Sequence, residues 1–292
     1  ADRAGGVSNQ LDTRFGIASG AKGFTALAVM RLVESGRLSL ASTARSILGT
    51  DLPLIDAAVT VEHLLTHTSG IGDYIDDGDF DEWSLAVAPS ELDSTDAYLT
   101  VLDGHPQRRA AGTVFEYCNG AFVVLALIAQ RVSGVRFDRL VDDTVIRPAG
   151  LTATGFLRLD ALPPDAAVGY LDDGATNIAH VPVLGSGDGG IFTTAADMAR
   201  LWSVCAAGSV VSPETFAEMI RPRQDAPADS SRYGLGFWLD ATRPVVRLDG
   251  CDAGVSFRSR YEPATGVVAT VVSNSTDGAW PVARAVAEHL DA

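Results

Sequence analysis

Lysine is nearly absent from this chain. Lysine and arginine together number 22, and Lys22 is the single lysine. Codon preference accounts for arginine at ordinary surface positions. A lone amine can also mark a position where a guanidinium would fail, because an amine can give up its proton and a guanidinium in practice does not. Cysteine is scarce too. Cys118, Cys205 and Cys251 are too few and too scattered for a disulfide framework or a paired-cysteine metal site, so free thiols are expected. Positive charge is in deficit, with a formal net charge of −15. That argues against duplex nucleic acid and against an anionic membrane surface as partners. Long apolar runs are missing: the longest, Ala121 to Ala129, is too short to cross a bilayer. The chain does not open on a basic segment followed by an apolar one, so no signal peptide is expected there, and the compartment stays open.

What is present suits a folded domain. With 292 residues, 47% hydrophobic and 20% charged, the chain can bury a large core as one domain or two interlocked lobes. From Thr25 to Leu38 apolar residues recur at helical spacing, with Gly36 as a stop. TVEHLLTHTSG from Thr60 reads as a short helix, and Gly72 to Pro106 as long Asp-rich surface excursions. Gly120 to Val132 reads as a strongly apolar helix with Asn119 as its N-cap. Thr194 and Asp197 resemble a capping box, and Ser212-Pro213 opens another helix. After Tyr233 the character changes. Gly234–Asp240, Pro244–Leu248, Val255–Tyr261 and Gly266–Ser273 read as consecutive antiparallel strands. Pro281 to Leu290 reads as a closing helix whose buried stripe is Trp280, Val282, Val286 and Leu290. The expected fold is mixed α/β, of the α+β kind: an antiparallel sheet flanked by helices, plus a mainly helical lobe. One catalytic domain over residues 1–292 is expected, with residues 1–18 and 231–292 forming the sheet lobe and 19–230 the helical lobe.

Two short segments carry chemistry. Ser19 stands three residues before Lys22, so on a helix that Ser19 opens the two share a face. The helix dipole there favours a developing alkoxide. A serine hydroxyl needs a base within hydrogen-bond reach, and a lysine in a dry pocket can serve. Tyr117-Cys118-Asn119 offers a hydroxyl for proton relay and an amide for orientation. Taken alone, that tripeptide reads equally as a half-buried tyrosine and a helix cap.

The ordered set of motifs resembles the serine β-lactamase and penicillin-binding-protein superfamily, in its class C-like branch with D,D-peptidases and carboxylesterases. FGIASGAKGFTALAVMRLVESGRLSL is similar to that branch's nucleophile helix, VEHLLTHTSGI to its His-Thr-Ser-Gly segment, and YCN to its Tyr-x-Asn motif. GDGGIFTTAADMARL, YGLGFW and EPATGVVATVVSN resemble its Gly-Gly turn and C-terminal strands. The resemblance implies that Ser19 is the acylated nucleophile, Lys22 its base or electrostatic activator, Tyr117 the proton relay and Asn119 an orienting group. It places the family's third motif at Leu248-Asp249-Gly250, as substrate-binding residues, and the oxyanion hole at the backbone N–H groups of Ser19 and Cys251. No cofactor and no metal are implied.

Two departures matter. Leu248 stands where the family usually has a basic side chain that meets a substrate carboxylate. Related esterases also carry an apolar residue there, which favours ester hydrolysis. Arg247 is expected on the opposite sheet face, and Arg258 or Arg260 as alternative sources of charge. The opening ADRAGG resembles the end of the family's second N-terminal strand, so about two strands that normally complete the sheet are expected to be absent. An uncovered edge would invite pairing with another chain.

Other features have ordinary explanations. His63 and His67, four apart, could face zinc, but no third ligand is evident and the resemblance makes the segment structural. Cys118 and Cys251 read as small buried thiols, Asp188-Gly189-Gly190 as a turn lining the cleft, and Asp197 as a cap. Asp249 reads as a contact for Lys22 or a cationic substrate, or as a solvated loop acid. The expected function is a serine hydrolase working through an acyl-enzyme, with a carboxylic ester as the favoured substrate. A β-lactamase or D,D-carboxypeptidase is the alternative, and a catalytically weak peptidoglycan- or lactam-binding relative the third. The partner is a small-molecule ester, lactam or peptide; oligomeric state is left open.

Overall fold

A computed structural model describes residues 6–75 and 85–291. The expected strand end ADRAGG lies outside the described residues apart from Gly6, as does part of the Gly72 to Pro106 stretch.

Ten α-helices and nine strands are described, with short 3₁₀ and π segments between them. The helices are α1 (Ala21–Glu34), α2 (Ala44–Leu48), α3 (Val61–Leu65), α4 (Leu99–Leu102), α5 (Asn119–Ser133), α6 (Phe137–Val141), α7 (Arg147–Ala149), α8 (Ala195–Ala206), α9 (Pro213–Met219) and α10 (Trp280–Asp291). The strands are β1 (Phe15–Gly16), β2 (Gly155–Phe156), β3 (Ile191–Thr193), β4 (Gln224–Ala226), β5 (Ser231–Tyr233), β6 (Trp238–Asp240), β7 (Val246–Asp252), β8 (Val255–Glu262) and β9 (Val267–Ser273). Strands β4 to β9 form one antiparallel meander in sequence order; β6 to β9 correspond to the four strands expected after Tyr233, and β4 and β5 add two that were not expected. β1, β3 and β2 form a separate three-stranded sheet in that order. The N-terminal strand therefore pairs with Thr193 and Phe192, and not with the large sheet into which the lobe division placed it.

The helices that carry the site are apolar all round because they are buried all round. In α5 every residue from Gly120 to Ala129 is buried, and Gly134 closes the helix in the left-handed conformation at φ 72°. α1 buries almost its whole length between α5 and β7. Two glycines one turn apart let it lie directly on the sheet. A Cβ on Gly20 would stand 2.6 Å from Phe257, and one on Gly23 would stand 2.7 Å from Leu248. Both distances are below normal contact, so a side chain at either glycine would push Phe257 or Leu248 out of its place or lift the helix off the strands.

Several expectations need correction. α1 begins at Ala21, ahead of the expected Thr25, and Ser19 precedes it in a 3₁₀ turn at Ala18–Gly20. The stretch after Gly72 is not all surface: Leu92, Tyr98 and Val101 are buried. Thr194 does cap α8 by accepting from the Asp197 N–H, but Asp197 turns away to Thr154 and the Ala153 N–H, so the box is half made. In α10, Val282 and Leu290 are exposed at 51% and 37%, while Ala283 is buried. Trp280 and Val286 of the expected stripe are half-buried, so the stripe holds in part and the face on the sheet centres on Ala283.

Candidate active site

Ser19 is held by a strained turn. Ala18 just before it has φ 44°, a conformation that costs a non-glycine residue about 1–3 kcal/mol. The turn is pressed against β7, where a side chain on Gly250 would collide with the Ile17 carbonyl oxygen and stand 3.0 Å from the Gly20 nitrogen. Gly250 therefore acts through its missing side chain, by letting the strand backbone meet the serine turn.

Lys22 lies one turn further along, at 1% exposure. Its Nζ donates to Ser19 Oγ at 2.9 Å, to Asn119 Oδ1 at 2.8 Å and to the Asp188 carbonyl oxygen at 3.2 Å. The Tyr117 ring centroid is 4.9 Å from Nζ and that of Phe122 is 5.8 Å away. The structure thus brings Ser19, Lys22, Tyr117 and Asn119 together, although 97 residues separate Lys22 from Asn119.

Asn119 is not the helix cap that its position implies. Cys118 holds the N-cap position without a side-chain bond. The cap is supplied from a distance by Asp73, whose carboxylate accepts from the N–H groups of Asn119 at 2.6 Å and Gly120 at 2.8 Å. This frees the Asn119 amide for Lys22. Asp73 was hidden in what reads as turn chemistry, and no sequence spacing connects it with Asn119.

His67 supports the tyrosine from behind. It is fully buried with φ 54°, and its ring lies 4.2 Å from that of Tyr117. Nδ1 accepts from the Cys118 N–H at 3.1 Å, which puts the ring proton on Nε2, facing Tyr233 Oη at 3.2 Å. Burial, assisted by the Lys22 charge, pushes the imidazole pKa well down and keeps the ring neutral. His63 instead accepts from the Thr60 N–H at the start of α3. The two histidines share no metal site, and no cluster of potential metal ligands occurs among the described residues.

The cavity over Ser19 has a volume of about 560 Å³. Strand alternation decides what faces it. Arg247, Asp249 and Cys251 line it, while Leu248 is 2% exposed and packs on Gly23. The substrate-binding assignment of Leu248 is therefore corrected: its side chain fills the space between β7 and α1. Arg247, expected on the far face, is on the cavity face. Asp249 is 19% exposed on the cavity wall, and its hydrogen-bond partners are arginines, not Lys22. Arg258 grips it through Nε at 2.7 Å and Nη2 at 2.9 Å, and Arg247 through Nε at 3.0 Å. Two guanidinium groups on one carboxylate leave this three-residue cluster with net positive charge. Arg260 pairs with Asp291 on α10.

Two further acids, Asp188 and Asp252, also line the cavity. Asp188 is 8% exposed and accepts from Tyr74 Oη at 2.6 Å. Burial raises its pKa. Burial, with the Asp188 carboxylate adding, pushes Asp252 up to about 7. The cysteines are free. Burial raises the Cys118 thiol well above its ordinary pKa and Cys251 to about 11, so both stay protonated at neutral pH.

The beta-lactamase family model matches residues 1–292. The chain belongs to the beta-lactamase family. It is 30% identical over 244 residues to a putative penicillin-binding protein, PbpX, of Bacillus subtilis, covering 82% of this chain and 57% of that protein. The chain thus spans little more than half the length of that relative. It is 29% identical to Esterase EstB of Burkholderia gladioli, covering 81% of this chain and 69% of the esterase. A solved penicillin-binding protein from Bacillus halodurans superposes with a TM-score of 0.92 at 34% identity, covering 99% of this chain and 90% of that one. The α+β architecture is the β-lactamase and transpeptidase fold.

Proposed function

We propose that the chain hydrolyses carboxylic esters through an acyl-enzyme on Ser19. The observation that carries this is the buried Lys22 amine, held within 2.9 Å of Ser19 Oγ and steadied by Asn119. In its neutral form Lys22 keeps its two N–H bonds to Asn119 and Asp188 and turns its lone pair to the Ser19 hydroxyl, so that Nζ takes the Ser19 proton as Oγ bonds to the substrate carbonyl carbon. The developing oxyanion lies toward the N–H groups of Ser19 and Cys251, and two preset donors of this kind lower the barrier by a few kcal/mol. The proton passes through Tyr117 to the leaving alkoxide, and water then reverses the sequence to free the acid. Leu248 supports an ester over an amide. With a leucine packed into the core, the strand offers no ammonium or imidazolium at that position to assist a poor leaving group. The name of one relative, Esterase EstB, agrees with this.

A second substrate class has its own support. Arg247 and Arg258 line the cavity, and their charge exceeds that of the Asp249 carboxylate between them. That wall suits a substrate carboxylate, as on a peptide or a β-lactam, and penicillin-binding proteins stand among the similar chains. A short-chain nitrophenyl ester set against a chromogenic cephalosporin separates the two. Faster ester turnover, with a fluorophosphonate adduct on Ser19, is expected. Cephalosporin turnover exceeding ester turnover reverses the order. No adduct on Ser19, together with full activity in Ser19→Ala, refutes the nucleophile itself.

A further inference from the structure

We infer that the adjacent residues Asp73 and Tyr74 form a clamp that positions Lys22 for proton transfer. The inference rests on the assignment of Ser19 and Lys22 just proposed. Lys22 Nζ has three oxygen partners. One is Ser19 Oγ; the others are the Asn119 amide oxygen and the Asp188 carbonyl. The directions of these last two decide where the nitrogen points, and each belongs to a residue tied to this dipeptide.

Asp73 governs Asn119. Its carboxylate is 7% exposed and accepts two amide N–H groups from the first turn of α5, at 2.6 and 2.8 Å. Charge-assisted bonds of this length are stronger than neutral ones. They set where the first turn of α5 stands, and so where the Asn119 oxygen meets Nζ. The packing is close, since a Cβ on Gly120 would stand 3.3 Å from Asp73 Oδ1. Tyr74 governs Asp188. Its hydroxyl donates to Asp188 Oδ2 at 2.6 Å, while the carbonyl of the same aspartate accepts from Lys22. Burial and the neighbouring Asp188 carboxylate hold the Tyr74 phenol well above its ordinary pKa, so it stays a donor.

The preceding segment is anchored as well. Gly70, at φ 65°, accepts from the N–H groups of Arg108 and Arg109, and a Cβ there would collide with the Arg109 carbonyl. The dipeptide therefore sits on a braced backbone and reaches both walls around the lysine. Neither residue touches Lys22 by a hydrogen bond. They are positioning residues, and their effect on the chemistry passes through the amine.

Tyr74→Phe removes one hydroxyl and keeps the ring; Asp73→Asn keeps one acceptor oxygen. Single-turnover acylation with a nitrophenyl ester is measured in each, alongside KM and thermal midpoint. Both variants are expected to acylate Ser19 at least tenfold more slowly, with KM within about threefold. In Asp73→Ala the loss is expected to be larger than in Asp73→Asn, because no acceptor remains. In a Lys22→Met background, which has lost the amine, adding Tyr74→Phe is expected to change the residual rate less than twofold. A full tenfold effect in that background overturns the clamp and makes Tyr74 a direct substrate contact, because it also lines the cavity. Acylation by Tyr74→Phe and Asp73→Asn at the wild-type rate overturns it outright. Normal acylation by Lys22→Met itself refutes the underlying assignment instead, so the two failures are distinguishable.

Discussion

Replacing Lys22 by arginine is nominally conservative, and the structure makes it the most demanding test of the proposed chemistry. The side chain has 1% exposure, and its nitrogen is enclosed by three oxygens at 2.8–3.2 Å and by the rings of Tyr117 and Phe122. A planar guanidinium is larger, spreads its donors in a fork and holds its proton throughout. Two effects follow. Overpacking costs about 1–3 kcal/mol, which in a domain of this size lowers the melting midpoint by roughly 2–10 °C. Loss of the proton acceptor costs roughly 10²–10⁴-fold in rate, equivalent to about 3–5 kcal/mol of barrier. Folding and chemistry are thus read by different instruments. Circular dichroism melts give the first, and the pre-steady-state burst of nitrophenolate gives the second. Lys22→Met supplies a companion of similar length without the amine, and should lose the burst with less loss of melting temperature. Arginine at 22 acylating Ser19 within threefold of the natural enzyme would return the single lysine to an accident of composition.

Further outcomes are expected from the same geometry. Leu248→Ala should lower stability by about 2–5 kcal/mol in denaturant titration, because its side chain fills the gap over Gly23. Leu248→Lys should destabilise at least as much and gain no affinity for carboxylate-bearing substrates; tighter binding in a well-folded variant would contradict the core placement. Gly250→Ala should abolish the acylation burst, since its methyl group meets the Ile17 carbonyl behind the serine turn; an intact burst would show that the turn has room to shift. Asp252 has a folded pKa of about 7, raised above the ordinary carboxylate value by burial and Asp188 and opposed by Lys22 and the Ala253 N–H. The folded state then holds a proton that the unfolded state releases, so its contribution to stability declines as pH rises from about 4 to about 7. Asp252→Asn should therefore raise the melting midpoint more at pH 8 than at pH 5, and an equal shift at both would contradict the raised value.

Much of the fold was legible because its signals are local. The apolar helix at Gly120 to Val132 and the C-terminal meander follow from periodicity and turn residues, and both are where the spacing puts them. The closing helix was placed correctly, and its apolar spacing found Trp280 and Val286, which are half-buried, but also Val282 and Leu290, which are exposed, and it passed over the buried Ala283. Ser19, Lys22, Tyr117 and Asn119 were legible as motifs. Leu248 was legible as a position in the third motif, but not as a core residue, since strand alternation alone does not say which face is wet. Asp73, Tyr74 and His67 were not legible as parts of the site, because each acts through a partner distant in sequence.

The sequence by itself determined the chemical inventory. It placed one amine three residues after a serine, a Tyr-x-Asn element, and glycines where helix and strand backbones must approach. These are matters of residue identity and spacing along one element. Tertiary structure decided which of them meet and in what state. It brought Asn119 onto an amine 97 residues away, turned Arg247 toward the cavity and Leu248 away from it, and paired Asp249 with two arginines. It also enclosed Lys22 among three oxygen acceptors and two aromatic rings. Burial and long-range contact set those outcomes, and neither is a property of any local segment.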